Sequence, residues 1–119
     1  RVSFSIVKHH TKCILDYIHF DLWGPSRVPS FGGKRYMLAL VDDFSHKAWF
    51  YFLGYENDAF PIFKKFKALV ENQIGRKIKK LRINNGLEFC ESDFNEFCVV
   101  QGIARHRTLV GKPQQNGVA

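Results

Sequence analysis

The sequence has 119 residues, of which 45% are hydrophobic and 24% are charged. This length predicts one domain, and the apolar fraction is enough for a packed core and excludes a globally disordered chain. The longest apolar runs, YMLALV (36–41) and AWFYFL (48–53), are much shorter than the roughly 20 residues that a membrane-spanning helix needs. The first ten residues lack the sustained apolar segment of a signal peptide. We therefore expect a single globular domain without a membrane partner.

The net charge of +7, from 18 Lys and Arg against 11 Asp and Glu, favours a polyanionic partner. Basic residues are concentrated in GRKIKKLR (75–82), and FKKFK (63–67) adds three lysines. A single basic run is more often a solvated helix face or strand edge than a binding site. From the two runs together we expect this surface to contact DNA or RNA.

Three cysteines, Cys13, Cys90 and Cys98, are an odd number without CxxC spacing. This pattern argues against a disulfide framework and favours a reducing, nuclear or cytoplasmic compartment.

The first half of the chain is predicted to be rich in strands. Residues 1–13 show no clear period and indicate an extended linker. CILDYIHFDLWGP (13–25) alternates and stops at Gly-Pro, which predicts a strand with Asp21 near its carboxyl end. Residues 34–55 contain two β-prone runs separated by DDFSHK, which predicts an antiparallel hairpin. The near-continuous hydrophobicity of both runs predicts central strands covered on both faces.

The period changes at residues 57–75, where apolar residues recur at helical spacing and Gly75 follows. These residues are Ala59, Phe63, Phe66 and Val70. Pro61 fits this helix only in the first turn, where the backbone N–H groups need no intrahelical partner.

The second half alternates strands with a helix. Residues 77–84 predict a strand that the NNG turn ends, Ser92 is predicted to cap a helix over 93–101, and residues 103–110 predict a fifth short strand. The last nine residues predict a loop. The resulting β-β-β-α-β-α-β order predicts the α/β class, with a five-stranded mixed sheet and helices on its faces.

Five strings along the chain carry a family resemblance. They are HFDLWGP (19–25), VDDFSHKAWFYFL (41–53), GRKIKKLRINNGLEF (75–89), GIARHRT (102–108) and PQQNGVA (113–119). In this order and spacing they resemble the integrase catalytic core of Copia-type LTR retrotransposon polyproteins, particularly the plant TNT-like group. The resemblance implies the RNase H-like fold of the retroviral integrase superfamily. It also implies that residues 1–13 are a linker after the polyprotein's zinc-binding segment and that residues 14–119 are the core.

The family's DDE motif supplies three carboxylates that hold two Mg²⁺ or Mn²⁺ ions for DNA integration by phosphoryl transfer. By the resemblance, Asp21 occupies the first acid position. The second acid belongs to a motif that usually reads RTDNG and here reads RINNG, so Asn84 stands in its place. The third acid is the Glu that follows PQQNGVA, which would be the residue after Ala119. We therefore expect a core that lacks the Glu-bearing helix.

An amide offers one neutral carbonyl oxygen, so it binds a divalent ion more weakly than a carboxylate and cannot bridge two. Asp21 is then a weak, incomplete metal site, and we expect no stably bound Mg²⁺ or Mn²⁺ and no appreciable strand transfer. Further departures from the family pattern favour a degenerate copy over one engineered change. They are Phe20, Ile83, His46 and Lys112.

Candidate nucleic-acid contacts come from the basic segment and from the final loop, whose polar residues face DNA in the resembling family. They are Arg76, Lys77, Lys79, Lys80, Arg82, Lys112, Gln115 and Asn116. Asp42 and Asp43 are interpreted as turn residues outside the catalytic set. His19 is the histidine expected nearest the site, because it lies on Asp21's side of the strand. Glu88 is a weak candidate for replacing the second acid.

Three hypotheses follow. The leading one is a catalytically inactive integrase core that keeps its fold and a basic surface with weak, salt-sensitive affinity for DNA. The second is a fragment of an active integrase whose second Asp is mutated. The third is a repurposed module that binds a protein partner. A homodimer is also expected, since related cores dimerise.

Overall fold

The computed structural model describes residues 12–27, 32–84 and 91–107, and these form one five-stranded sheet with two α-helices on one side. The elements in chain order are β1 (Ile18–Trp23), β2 (Tyr36–Asp42), β3 (Ala48–Leu53), α1 (Ala59–Ile74), β4 (Lys80–Ile83), α2 (Glu91–Gln101) and β5 (Ala104–Arg107). The strand order across the sheet is β3-β2-β1-β4-β5. The hairpin strands pair antiparallel, whereas β4 and β5 run parallel to β1. The predicted element order and mixed sheet are confirmed.

Strand β1 is shorter than the predicted 13–25 because a turn precedes it. The backbone N–H of Asp16 donates to the carbonyl of Cys13 (3.2 Å), and Leu15 has a positive φ of 74°. Within the strand the predicted alternation is confirmed. Ile18 and Phe20 lie in the hydrophobic core, so His19 and Asp21 point to the opposite side of the sheet.

Aromatic side chains join both described helices to the same side of the sheet. The ring of Phe20 lies 5.8 Å from that of Phe63 on α1 and 5.7 Å from that of Phe94 on α2. The rings of Phe63 and Phe94 are themselves 5.7 Å apart. We call this side of the sheet the helix face and the opposite side the far face.

Helix α1 matches its predicted period and end. All four predicted apolar positions are buried, and Pro61 is the third residue of the helix. Gly75 ends the helix in a left-handed conformation (φ 80°), and its N–H donates to the carbonyl of Glu71 (2.8 Å). Helix α2 begins at Glu91, so the prediction that Ser92 is its N-cap was wrong. A serine is tolerated at this position because the backbone N–H groups of the first turn have no intrahelical partner, so its hydroxyl displaces no helical hydrogen bond.

The hairpin is confirmed, but the prediction that both of its strands are covered on both faces was wrong for β3. Strand β2 is central and mostly buried, whereas β3 is the sheet edge and alternates in burial. Phe50 and Phe52 remain 49% and 41% exposed. They lie on the far face, since they pair in register with Ala39 and Met37 rather than with the core residues of β2.

A buried polar network fixes α1 to α2 and to the segment before β4. Lys67 is 8% exposed, and its Nζ donates to Glu71 Oε1 (2.8 Å) and to Gln101 Oε1 (3.1 Å). The other oxygen of Glu71 accepts from the backbone N–H of Ile78 (2.8 Å). These contacts satisfy a lysine that would be costly to bury alone. None of the described helices is long and apolar enough to span a bilayer.

Candidate metal and nucleic-acid site

Asp21 and Asn84 are brought together at the carboxyl ends of two parallel strands. Strands β1 and β4 pair Phe20 with Ile83, and the backbone N–H of Asn84 donates to the carbonyl of Phe20 (3.0 Å). The next step along each strand therefore places Asp21 beside Asn84. By strand alternation both side chains point to the far face. Asp21 is 4% exposed and Asn84 is half-buried.

The two family departures that flank these positions belong to the core rather than to the site. Phe20 and Ile83 are 0% and 2% exposed and lie in the hydrophobic core on the helix face. Substitutions at these two positions therefore alter the hydrophobic core on the helix face, whereas the side chains of Asp21 and Asn84 determine the chemistry on the far face.

Asp21 and Asn84 define what we call the Asp21–Asn84 edge of the sheet. The oxygen ligands that these two side chains offer do not suit two divalent cations. Asp21 offers one carboxylate, and Asn84 offers one neutral carbonyl oxygen. A two-metal centre needs negatively charged oxygens that coordinate both ions. Within residues 12–27, 32–84 and 91–107, no group of three His, Cys, Asp or Glu side chains is placed to hold a metal.

The two hairpin carboxylates have structural partners. Asp42 is fully buried, and its two oxygens accept from the backbone N–H groups of Leu15 and Ser45, both at 2.7 Å. Asp42 is thus the last residue of β2, and its carboxylate holds the turn that follows, which agrees with its predicted structural role outside the catalytic set. Asp43 lies in the turn, as predicted, and in addition its Oδ1 lies 2.8 Å from Nε2 of His19, with both side chains buried. The sequence interpretation missed this pair.

A row of polar side chains crosses the far face next to the Asp21–Asn84 edge. Arg82 pairs in register with His19 on one side and with His106 on the other. The Tyr17 hydroxyl lies 3.2 Å from Nδ1 of His106, and Lys80 Nζ lies 5.3 Å from the centre of the Tyr17 ring. Burial raises the pKa of Tyr17; the nearby charge of Arg82 opposes this rise and that of Asp43 adds to it. Arg82 precedes Asn84 by two residues, about 7 Å along the strand.

Arg76, one of the predicted nucleic-acid contacts, is held by the fold. Its Nη2 donates to Asp16 Oδ1 (2.8 Å), and its Nε donates to the carbonyl of Ile14 (3.2 Å). Burial alone would raise the pKa of Asp16, but the hydrogen bond from Arg76 and the charges of Lys79 and Arg76 outweigh burial and lower it. Arg76 therefore anchors the segment before β4 to the turn before β1.

The other predicted nucleic-acid contacts fall into two groups. Lys77, Lys79 and Lys80 are exposed, and Arg82 is half-buried. Lys112, Gln115 and Asn116 lie outside the described residues, as does Glu88.

Cys98 lacks the exposure and the lowered thiol pKa that a nucleophilic cysteine needs. It is 1% exposed in the core, and burial raises the pKa of its thiol to about 11 despite the nearby charges of Arg105 and Lys67. The thiolate, which is the reactive form, is therefore scarce at neutral pH. Cys13 and Cys98 are both free thiols.

The family model described as the integrase core domain matches residues 12–113, nearly the whole chain. The chain belongs to this family. It is 43% identical over all 119 residues to the retrovirus-related Pol polyprotein from transposon TNT 1-94 of Nicotiana tabacum, and covers 9% of that protein. It is 31% identical over the same residues to the Pol polyprotein from transposon RE2 of Arabidopsis thaliana, and covers 8% of it. The chain thus spans less than a tenth of these relatives, and the predicted resemblance to Copia-type integrase cores is confirmed.

Solved integrases share its fold. The HTLV-2 integrase catalytic core domain, in complex with magnesium and in dimeric form, superposes with a TM-score of 0.58 at 17% identity, over 79% of this chain and 61% of that one. A chain of the simian T-cell lymphotropic virus intasome, in complex with PP2A regulatory subunit B56 gamma, gives 0.58 at 15% identity, over 87% of this chain and 35% of that one. The predicted RNase H-like fold is confirmed.

Proposed function

We propose that this chain is a degenerate integrase core that does not catalyse integration and that keeps a basic surface for DNA. The observation that carries the proposal is the position of Asn84. It stands beside Asp21 at the carboxyl edge of the sheet, where the family presents its second acid, and it brings an amide instead of a carboxylate.

The loss of charge bears directly on the reaction. Phosphoryl transfer between DNA strands depends on metal ions that activate the attacking oxygen and stabilise the leaving one. Asp21 is a single carboxylate, and the hairpin acids Asp42 and Asp43 are bonded elsewhere. The described side chains at this edge therefore provide no charged ligand set for a pair of Mg²⁺ or Mn²⁺ ions.

The support for DNA binding is the positive surface that leads to this edge. Lys77 and Lys79 are exposed before β4, and Lys80 and Arg82 lie on β4 itself. Lys80 and Arg82 share the far face with Asn84, because side chains two apart on a strand point the same way. A DNA backbone following β4 would contact these cations and reach the Asp21–Asn84 edge.

Binding of duplex DNA at several salt concentrations tests this surface. We expect weak affinity that falls steeply with salt. A Lys77→Ala, Lys79→Ala, Lys80→Ala variant should reduce the salt slope by about 0.9 for each phosphate that it no longer neutralises. A matched control replaces three other exposed lysines, Lys47 in the turn before β3 and Lys64 and Lys65 on α1. Absence of binding at low salt, or equal effects of the two variants, would favour the protein-interaction hypothesis instead.

Mn²⁺-dependent cleavage and strand transfer test inactivity. The chain is extended through the Glu that follows PQQNGVA in the family, so that the third acid is present, and Asn84 is compared with Asn84→Asp. We expect no activity with Asn84. Activity of the Asn84 chain would contradict the proposal. Full activity after this one substitution would favour the hypothesis of an active integrase with a single mutated acid. Homodimerisation stays a prediction, which sedimentation velocity checks.

A further inference from the structure

A small open pocket lies where the chain leaves β3 for α1. Its volume is about 280 Å³, and it is lined by Tyr36, Tyr55, Glu56 and Asn57; we call it the tyrosine pocket. Tyr36 is the first residue of β2 and pairs in register with Leu53, the last residue of β3. Because Tyr55 follows Leu53 by two residues, the hairpin brings the two tyrosines together. The volume lies just below the range of pockets for drug-sized ligands, so it suits a small head group.

The tyrosine pocket and the surface proposed for DNA belong to opposite faces of the sheet. Tyr36 packs against the hydrophobic core on the helix face, to which its register partner Leu53 also belongs. Lys80 and Arg82 point to the far face. A ligand in the pocket and a DNA backbone along β4 would therefore not compete for the same place.

The two aromatic walls are carried by an ordered backbone. Tyr55 is 72% exposed, and its backbone N–H donates to Asp58 Oδ2 (3.2 Å) while its carbonyl accepts from the N–H of Asp58 (3.1 Å). Tyr36 is closely backed by Gly24, where a Cβ atom would lie 2.8 Å from Cδ2 of the Tyr36 ring. A site whose backbone is already ordered loses less entropy when a ligand binds.

The charge of the wall itself is negative, although the chain has a net charge of +7. Glu56 lines the pocket, and the Asp58 carboxylate lies beside it through its bond to the preceding turn. Lys34 and Arg35 are exposed and come just before the pocket in sequence, but they stand outside its lining. Nε of Arg35 donates to the carbonyl of Ser26 (2.9 Å), which holds this side chain to another segment. The carboxylate in the wall therefore favours a cationic ligand.

Aromatic faces next to a carboxylate suit a quaternary methylammonium group. The negative face of a tyrosine ring attracts a cation within about 6 Å of its centre, and methylated ammonium groups are bound in this way by aromatic cages. An unmodified lysine ammonium is compact and strongly hydrated, so it loses more hydration when it contacts a ring. The methyl groups also bury apolar surface against the two rings.

We propose that the tyrosine pocket binds a quaternary methylammonium group, carried either by a trimethylated lysine of a peptide or by a free choline-type molecule. The cation contacts the rings of Tyr36 and Tyr55, and Glu56 supplies the opposite charge. This binding goes beyond the proposed contact with DNA and does not depend on it.

NMR titration of the isotope-labelled chain with choline tests the pocket. We expect saturable shifts of the backbone amides of Tyr55, Glu56 and Asn57. The neutral analogue of choline, in which carbon replaces the nitrogen, has the same shape without the charge. It should bind about fivefold more weakly or worse, because the attraction between the cation and the rings is then lost.

Four variants assign the binding to its residues. Tyr55→Ala should weaken choline binding about fivefold or more, whereas Tyr55→Phe keeps a ring face and should bind like the wild type. Glu56→Gln should weaken binding, and the matched control Glu96→Gln, which changes an exposed carboxylate on α2, should not. Lys34→Ala should tighten binding, because it removes a like charge near the pocket.

Two peptides that differ only in trimethylation of one lysine distinguish the sources of the ligand. A trimethylated peptide that binds more tightly than choline, with the unmodified peptide weaker than both, would support a protein tail as the ligand. Equal affinity for choline and the trimethylated peptide would support a free choline-type molecule.

The proposal is overturned if neither choline nor the trimethylated peptide gives saturable shifts, or if the neutral analogue binds as tightly as choline. Tyr55→Ala binding like the wild type would overturn it as well. Thermal unfolding of Tyr55→Ala should match the wild type, because this side chain is largely exposed, so a loss of binding is not a loss of fold. DNA binding by this variant should also be unchanged, which separates failure of the pocket from failure of the DNA surface.

Discussion

The two faces of the central sheet differ sharply in chemistry. The helix face is aromatic and close-packed, with Phe20 in contact with Phe63 and Phe94. The far face carries the buried His19–Asp43 pair, together with the Asp21–Asn84 edge. Strand alternation therefore separates the aromatic core side chains of the helix face from the polar side chains of the far face. A change from acid to amide at Asn84 can therefore remove chemistry and leave packing unchanged.

The largest expected contrast compares the same substitution on the two faces. Phe63→Ala removes a fully buried ring from the helix face and should destabilise the protein by about 3–5 kcal/mol. Phe50→Ala removes a ring that is 49% exposed on the far face of β3, and it should cost about 1 kcal/mol or less. Urea unfolding followed by circular dichroism measures both. Equal losses would show that the far face of β3 contributes as much packing as the helix face.

The next contrast exchanges acid and amide at two positions. Asp42→Asn should destabilise the protein by about 1–3 kcal/mol, because the buried carboxylate accepts from two backbone N–H groups and an amide has only one oxygen. Asn84→Asp, the reverse exchange, places a second carboxylate beside the buried Asp21, and the like-charge repulsion should destabilise the metal-free protein by about 1 kcal/mol or less. The same unfolding assay applies. A large loss for Asn84→Asp would mean that the amide has a structural role in the fold.

Much of the fold follows from local patterns in the sequence. The apolar spacing and Gly75 predicted α1, because an amphipathic helix next to a sheet repeats its buried positions regularly. The sequence patterns predicted a strand that contains Asp21 and another that ends at the NNG turn with Asn84, whereas the pairing of these two strands became known only from the structure. The coverage of β3 was mispredicted, because an edge strand and a central strand can have the same apolar composition, and only strand order distinguishes them.

The smallest contrast concerns two neighbouring cations, Arg76 and Lys77, in the segment before β4. Arg76→Ala removes hydrogen bonds to Asp16 and Ile14 and should cost about 1 kcal/mol at neutral pH. Lys77→Ala removes an exposed lysine and should be nearly neutral. The Arg76–Asp16 contribution should be present above the ordinary carboxyl pKa, because the folded-state pKa of Asp16 is lowered. It should be lost as the pH falls through that lowered pKa.

Unfolding of the wild type, Arg76→Ala and Lys77→Ala at several pH values measures this effect. The part of the difference that comes from the Ile14 hydrogen bond should remain in strong acid, so a difference between the wild type and Arg76→Ala that does not shrink at all as the pH falls would contradict the ion-pair explanation.

Tertiary pairings account for what the sequence could not predict at the site. Nothing in the basic run distinguishes Arg76 from Lys77, since the partner carboxylate of Arg76 lies 60 residues earlier in the chain. Likewise, Asp43 is a turn residue as predicted, but the turn pattern gave no sign that its side chain pairs with His19, 24 residues away. The antiparallel register could have indicated this pair, because it puts His19 opposite Val41 and diagonal to Asp43.

The central claim is that Asn84, rather than a change of fold, removes the metal site. Isothermal titration with Mn²⁺ tests it most directly, using the wild type, Asn84→Asp, and Asn84→Asp combined with Asp21→Asn. We predict no saturable binding to the wild type, a saturable isotherm for Asn84→Asp, and loss of that saturable binding in the double variant. Wild-type binding that is as tight as that of Asn84→Asp and is abolished by Asp21→Asn would contradict the account.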